Sequence, residues 1–291
     1  MQINFLYHIL ISGCIFYCLT AGAKMYLKLR WSLDFSYLGI IIFGSYVWVL
    51  VHLHWGRGML AALGFSFVLS MFFTGFVLYL SSKLQWLYFT IWTLSLYILF
   101  YQLAFNLEFL TWWAFGLSGM WREVIGSVVV SWLLPYLIYV VCCVVVVIGV
   151  LMYFKRTFMF SILQWWGERE VVIQSLGVRV LWYKLIMVAL TTFLAVLGGN
   201  LYSFYYAFID PHSFWLPMLV LLLVLVFGAY KFDEIGTFIF TLFTVWLYEW
   251  LRFFKLVDPA QIWYFREVIF GILILITSVW VFKVTKFGRQ Q

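Results

Sequence analysis

The sequence predicts an all-α fold, a bundle of helices that crosses a membrane several times, from three observations. Hydrophobic residues make up 66% of the 291-residue chain, and charged residues make up only 10%. A soluble domain needs about 25% charged residues to hydrate its surface. The apolar runs are long and continuous, as in residues 133–152 and 214–229, whereas barrel strands alternate over about 10 residues. Helices are therefore the structure that satisfies the backbone hydrogen bonds in lipid here.

The apolar segments predict a single transmembrane domain that spans residues 1–291. A membrane helix needs about 20 residues to cross about 30 Å of hydrocarbon, so the chain fits about 8 to 10 spans with short connections. We place the spans at residues 3–22, 34–54, 59–81, 86–106, 127–153, 182–208, 214–230, 236–251 and 264–282. The first is interpreted as a retained helix and not a signal peptide, because no basic residue precedes it.

Basic residues predict the orientation of the bundle in the membrane. If the polar segment 155–184 is cytoplasmic and every span crosses, 13 of the 18 Lys and Arg residues lie inside and 5 lie outside. Cytoplasmic loops of membrane proteins carry such an excess of basic residues. The N-terminus is then predicted outside and the C-terminus in the cytoplasm, at a cell membrane.

The segment 155–184 is the longest polar interruption between the predicted spans. Val171, Val172 and Leu176 stand among charged residues there, a pattern that is typical of a short amphipathic helix along the membrane surface. Two interpretations fit this composition. One is a surface loop that is anchored at the interface, and the other is a helix on which a cytoplasmic partner docks. Composition alone favours the loop.

No pattern in the chain predicts a catalytic, metal or cofactor site. The four cysteines lie in apolar stretches, and His52 and His54 are two positions apart, so their side chains point to different sides of a helix. There is no glycine-rich phosphate loop. Glu249 is the acid nearest to the interior of a predicted span, and a buried acid there would be a functional candidate. Arg252 follows it at i+3, which favours a structural ion pair within one helix. The net charge of +7 is not gathered in a Lys/Arg run, so nucleic acid is not predicted as a partner.

Five segments resemble one transporter family. Residues 175–185 read SLGVRVLWYKL, residues 194–202 read LAVLGGNLY and residues 208–214 read FIDPHSF. They are similar to LGI…YKL, LAGLAGALY and FISPxSF in the permease subunits of bacterial branched-chain amino-acid ABC importers. Residues 87–94, LYFTIWTL, and residues 110–120, LTWWAFGLSGM, resemble LYFAIVTLAF and LTGGSNGLSGI of that family.

The resemblance extends from about residue 27 to residue 282 and implies the transmembrane domain of an ABC importer. Such a permease pairs with a second permease, docks two cytoplasmic ATPase subunits and receives solute from an extracytoplasmic binding protein. In this family the polar segment before Tyr183 is the ATPase-coupling segment. The resemblance therefore favours the interpretation as a docking helix over the interpretation as a surface loop. The implied coupling residues are Gly167, Glu168, Arg169, Glu170, Ser175, Leu176, Gly177, Val178, Arg179, Tyr183 and Lys184. The implied solute-path residues are Thr93, Gly116, Leu117, Ser118, Gly119 and Asn200.

Departures from the family pattern leave the identity of the solute undetermined. Small residues of the family's TGGSNGLSG segment are replaced by Trp112, Trp113 and Phe115, and glycines are fewer in residues 28–39 and 227–237. Glycine lets irregular backbone line a cavity, so these changes predict a narrower path or another solute. A passive channel or a scaffold that no longer transports is the alternative function on the same fold.

Overall fold

The computed structural model of the chain is an assembly of long α-helices. It describes residues 2–30, 34–55, 58–81, 86–106, 116–118, 124–125, 128–129, 133–168, 180–251 and 259–287. The helices in these ranges are α1 (Gln2–Arg30), α2 (Ser36–Trp55), α3 (Met59–Ser81), α4 (Trp86–Asn106), α5 (Leu133–Arg156), α6 (Phe158–Glu168), α7 (Val180–Tyr206), α8 (Leu216–Gly228), α9 (Glu234–Trp250) and α10 (Pro259–Phe287). A short 3-10 helix, η1, covers Pro211–Phe214.

Two antiparallel pairs of two-residue strands accompany the helices. Strand β1 (Leu117–Ser118) pairs with β4 (Phe208–Ile209), and β2 (Val124–Ile125) pairs with β3 (Val128–Val129). The β1–β4 pair joins segments that are about 90 residues apart in sequence, and residue patterns at either segment alone do not predict it.

The predicted membrane bundle is confirmed. Seven apolar stretches in the described part of the chain are long and apolar enough to cross a membrane; they fall on α1 to α5, α7, and η1 with α8. The other two predicted spans coincide with α9 and α10. Helix α9 has 17 residues, which at 1.5 Å per residue covers about 26 Å.

Several helix ends differ from the predicted spans, and the differences at the start of α5 and the end of α1 are instructive. Helix α5 begins at Leu133, six residues after the predicted start at 127. Pro135 lies in its first turn, where a missing N–H breaks no hydrogen bond. Helix α1 continues to Arg30, past the predicted end at 22. Lys24, which lies beyond the predicted end, is buried in this helix.

Helix α1 lies at the centre, packed mainly on α7, α9 and α5. It runs antiparallel to α9, since Lys24 contacts Glu234 at one end of the bundle and His8 lies near Glu249 at the other. We call these the Lys24 end and the His8 end. His8 also contacts Tyr205 near the end of α7, so α7 is antiparallel to α1 as well.

Small side chains allow α3 to approach α7 closely. Ser66, Ser70 and Thr74 recur every four residues on one face of α3, and all are fully buried. The Thr192 hydroxyl of α7 donates to Thr74 Oγ1 at 2.9 Å. Such faces are typical of helix packing in membranes. The other faces of α3 carry exposed side chains such as Phe72, as expected where lipid is the solvent.

Candidate functional site

A cavity of about 730 Å³ lies at the His8 end of the bundle. It is an open cleft whose walls come from α1, α7, η1, α8, α9 and α10, with one residue of β4. The lining residues are Ser12, Phe16, Tyr202, Tyr206, Phe208, His212, Ser213, Pro217, Met218, Leu221, Val245, Tyr248, Glu249 and Arg266. A volume of this size is within the range of small-molecule sites in proteins.

The cavity carries one acidic and one strongly basic side chain. Arg266 of α10 lies over the ring of Tyr248 on α9, with its guanidinium carbon 3.8 Å from the ring centroid. Glu249 follows Tyr248 in sequence, and its Oε1 atom is 3.9 Å from Nε2 of His8. Guanidinium groups match carboxylates by a planar pair of donors, and a carboxylate attracts an ammonium group. The cavity wall therefore presents both a cationic and an anionic side chain.

Apolar side chains form part of the cavity wall. Phe16, Met218, Leu221 and Val245 line it, and they come from three different helices. Beside them lies Ser12, whose hydroxyl is buried and has no hydrogen-bond partner among the described residues. An unsatisfied buried hydroxyl is costly, so a polar ligand atom at this position would be stabilised.

Helix η1 holds the rim of the cavity in place. The Asp210 side chain caps η1 by accepting hydrogen bonds from the backbone N–H and the hydroxyl of Ser213, the former at 3.2 Å. Pro211 occupies the first position of η1, where its fixed φ favours the start of a helix. On the side facing α4, Tyr101 Oη lies 3.4 Å from Nδ1 of His212. The DPHS sequence thus positions His212 and Ser213 at the cavity.

The predicted loop around 116–119 lies against this rim. Leu117 pairs with Ile209, and Ser118 pairs with Phe208, which lines the cavity. Gly116 has a φ of +69°, and an added Cβ would overlap the carbonyl oxygen of Ile209. Only glycine combines this conformation with so close an approach. Gly119 lies outside the described residues.

Thr93 and Asn200, the other two predicted solute-path residues, do not line the cavity. Thr93 is buried, and its Oγ1 accepts from the backbone N–H of Phe35 at 3.3 Å. Asn200 is fully buried in α7, and its amide nitrogen and oxygen have no hydrogen-bond partner within the described ranges. Thr93 contacts the start of α2, and Asn200 follows Gly199, which faces Ser45 of α2. Neither is brought together with the rim.

The predicted coupling segment is described in part. Gly167 and Glu168 end α6, while Tyr183 and Lys184 lie near the start of α7. The predicted residues Arg169, Glu170, Ser175, Leu176, Gly177, Val178 and Arg179 lie outside the described residues. Helix α6 buries Leu163, exposes Phe158, and packs on α1, α5 and α7. Lys184 is buried and lines a small pocket with Asp34.

A buried ionic cluster at the Lys24 end was not predicted from sequence. Lys155 of α5 forms an ion pair with Oε1 of Glu234, and Lys24 Nζ lies 3.8 Å from the same atom. The Tyr17 hydroxyl donates to Oε2 of Glu234 at 3.2 Å. Lys24 also donates to the Phe232 carbonyl oxygen at 2.8 Å and to the Thr237 hydroxyl. One carboxylate therefore links α1, α5 and α9.

The charge of Glu234 is maintained by this cluster. Glu234 lies before the predicted span 236–251, at the first residue of α9. Burial raises the pKa of its carboxyl group, but Lys24 and Lys155 lower it more, so that the pKa lies below the ordinary value. The group is therefore ionised at neutral pH. A signal was present in the sequence, because few acids occur in the chain and Glu234 follows closely on an apolar span.

Comparison with known proteins agrees with this architecture. A family model described as the permease component of branched-chain amino acid transport systems matches residues 6–290. Neither the curated proteins nor the solved structures gave a match. The matched region includes the whole cavity and the ionic cluster, and it confirms the resemblance that the ordered motifs indicated. The chain is a multi-pass membrane protein, and it belongs to the family of branched-chain amino acid transport permease components.

Proposed function

We propose that this chain is the permease subunit of an ATP-binding cassette importer for a branched-chain or other amino acid. Solute crosses by alternating access, which two separate ATPase subunits drive from the cytoplasm. The path lies between this chain and a second permease, with the loop at 116–119 contributing to passage, and the cavity at the His8 end of this chain is a solute-binding point beside that path. The chain itself has no catalytic residue in this scheme and needs no cofactor.

The observation that carries this proposal is the chemistry of the cavity. An amino acid is a zwitterion, and the cavity places Arg266 and Glu249 beside apolar residues such as Met218 and Leu221. The guanidinium would face the solute carboxylate, and the carboxylate would face the solute ammonium group. The apolar wall would accept an aliphatic side chain, whose burial contributes about 25 cal/mol per Å².

The orientation that the basic residues predict indicates which side of the membrane each end of the bundle faces. The Lys24 end faces the cytoplasm, and the C-terminal tail lies on that side. The His8 end, with the cavity, then faces the extracytoplasmic binding protein. Residues 167–184 dock the ATPases at the Lys24 end, where α6 contacts α1, α5 and α7. A displacement of α6 would thereby reach three helices of the bundle, which suits a rigid-body mechanism.

A docking experiment tests the coupling part of the proposal. The full chain is co-purified with the ATPase, binding-protein and second-permease subunits of the proposed transporter, and solute-stimulated ATP hydrolysis is measured. We expect Glu168→Lys combined with Arg169→Glu and Gly177→Pro to abolish stimulation, because the contact between permease and ATPase is lost. Lys231→Gln replaces an exposed residue at the same end of the bundle. It is the control and should leave stimulation unchanged.

The result also separates the proposal from the alternative function. If the triple variant folds, as judged by its melting temperature, and still shows full association and stimulation, the segment 167–184 is not the coupling element. If the unmodified chain associates with no ATPase, a passive channel or scaffold describes it better.

A further inference from the structure

Ser12 presents a hydroxyl group with no protein partner to the cavity at the His8 end. The residue lies on α1 and is 4% exposed, and its hydroxyl has no hydrogen-bond partner among the residues that the structure describes. It is one of the side chains that line the cavity. Because a buried polar group without a partner is costly, this position favours a ligand atom that forms a hydrogen bond.

Other buried hydroxyl groups on the helices of this chain bond to the carbonyl oxygen one turn earlier, as serine and threonine often do in helices. On α1 itself, the Thr20 hydroxyl donates to the carbonyl oxygen of Phe16 at 2.7 Å. Further buried residues that bond four residues back in this way are Ser45, Ser66, Thr74, Ser203 and Thr241. Ser12 makes no such bond to His8, so its hydroxyl remains available to a molecule in the cavity.

The antiparallel packing of α1 and α9 sets the depth of Ser12 in the cavity. His8 and Glu249 face each other near the end of the bundle. Ser12 follows His8 by four residues, and on α9 Val245 precedes Glu249 by the same number. At 1.5 Å per residue, Ser12 and Val245 therefore lie about 6 Å further into the bundle than Glu249.

The two charged side chains of the cavity lie at the outer level. Arg266 lies over the ring of Tyr248, which directly precedes Glu249 on α9. An amino acid whose carboxylate and ammonium groups contact Arg266 and Glu249 can extend its side chain further into the bundle. The side chain then reaches the level of Ser12 and Val245, where one wall residue is apolar and the other carries a hydroxyl group.

We propose that Ser12 makes this cavity selective for an amino acid with a side-chain hydroxyl group, so that threonine binds more tightly than its isostere valine. The two amino acids have nearly the same shape, and valine has a methyl group where threonine has the hydroxyl. The threonine hydroxyl pairs with Ser12 while its methyl group contacts Val245. Valine leaves the Ser12 hydroxyl buried without a partner, and a site built to bond a hydroxyl rejects an analogue that lacks it. The inference rests on the proposed function, because it requires that the cavity binds an amino acid.

The test is titration calorimetry with L-threonine and L-valine on the permease–ATPase complex without its binding protein, so that the selectivity measured is that of the membrane part. We expect threonine to bind about fivefold more tightly than valine, the effect of one neutral hydrogen bond. Ser12→Ala should remove this preference, so that valine binds at least as tightly as threonine. Ser70→Ala is the matched control, because the Ser70 hydroxyl is also buried without a partner in the described ranges but lies on α3, outside the cavity lining. It should keep the ratio of the two affinities.

Three outcomes would overturn the inference. Equal or tighter binding of valine to the unmodified complex would show that the hydroxyl is not recognised, and the proposed transport function would still stand. A preference for threonine that persists in Ser12→Ala would assign the recognition to another residue. If neither amino acid binds, and leucine does not bind either, the solute-binding role of the cavity and the role of Ser12 fail together. The ratio in the unmodified complex decides the question by itself if Ser12→Ala does not fold.

Discussion

Replacing Glu234 by alanine is expected to destabilise the protein by about 3–5 kcal/mol, the usual cost of removing one partner of a buried ion pair. Lys24 is 1% exposed, so its ammonium group would remain buried without a counter-charge. Three helices would lose their common contact at the same time. The measurement is the melting temperature of the purified chain in detergent, followed by tryptophan fluorescence.

The adjacent residue provides the control for this exchange. Asp233 is exposed, and its side chain makes no capping hydrogen bond to α9. Asp233→Ala should therefore leave the melting temperature nearly unchanged. Equal shifts for the two variants would contradict the structural role of Glu234. Lys24→Met together with Glu234→Leu removes both buried charges and should recover part of the loss; no recovery would mean that charge burial is not its cause.

Substitutions that remove a charge from the cavity are expected to have the second large effect, which is a loss of solute affinity. Arg266→Gln should weaken the binding of zwitterionic amino acids about tenfold or more, because a hydrogen bond between charged groups contributes about 1.5–3 kcal/mol. Glu249→Gln should act similarly through the solute ammonium group. Binding is measured by titration calorimetry on the assembled transporter, with a panel of aliphatic amino acids.

Ligand analogues separate this role from a structural one. Arg266 also stacks on Tyr248, so its removal could loosen α10. If Arg266 binds the solute carboxylate, Arg266→Gln should leave the affinity for an aliphatic amine nearly unchanged while that for the amino acid falls. Glu267→Gln, on the same helix but outside the cavity lining, is the matched control. Unchanged affinities in both cavity variants would remove this cavity from the solute path.

Local patterns predicted the helices well because hydrophobic runs of about 20 residues have few alternatives in lipid. Each of the nine predicted spans falls on a helix. The end of α1 was placed at residue 22, whereas the helix continues through Lys24 to Arg30. The charge of Lys24 is compensated by Glu234, which is 210 residues away in sequence, and hydropathy contains no information about such a contact.

The candidate site was less predictable because it depends on the packing of distant segments. The loop at 116–119 was singled out from its resemblance to a family motif, and its described residues lie at the cavity rim through the pairing of 117–118 with 208–209. Arg266 was counted only as one basic residue outside the membrane. Glu249 was predicted to pair with Arg252, which lies outside the described residues, and the structure places His8 near it. Arg266 and Glu249 line one cavity only because α9 and α10 are packed together.

The most direct test of the central claim is amino-acid accumulation in proteoliposomes that contain the complete transporter. The binding protein and labelled solute are added outside, and ATP is enclosed inside with the ATPase subunits. We expect the internal solute concentration to rise above the external one, and to stay at the external level when ATP is omitted. Equilibration that does not require ATP, or no flux in either condition, would contradict the assignment of this chain as the permease of an ATP-driven importer.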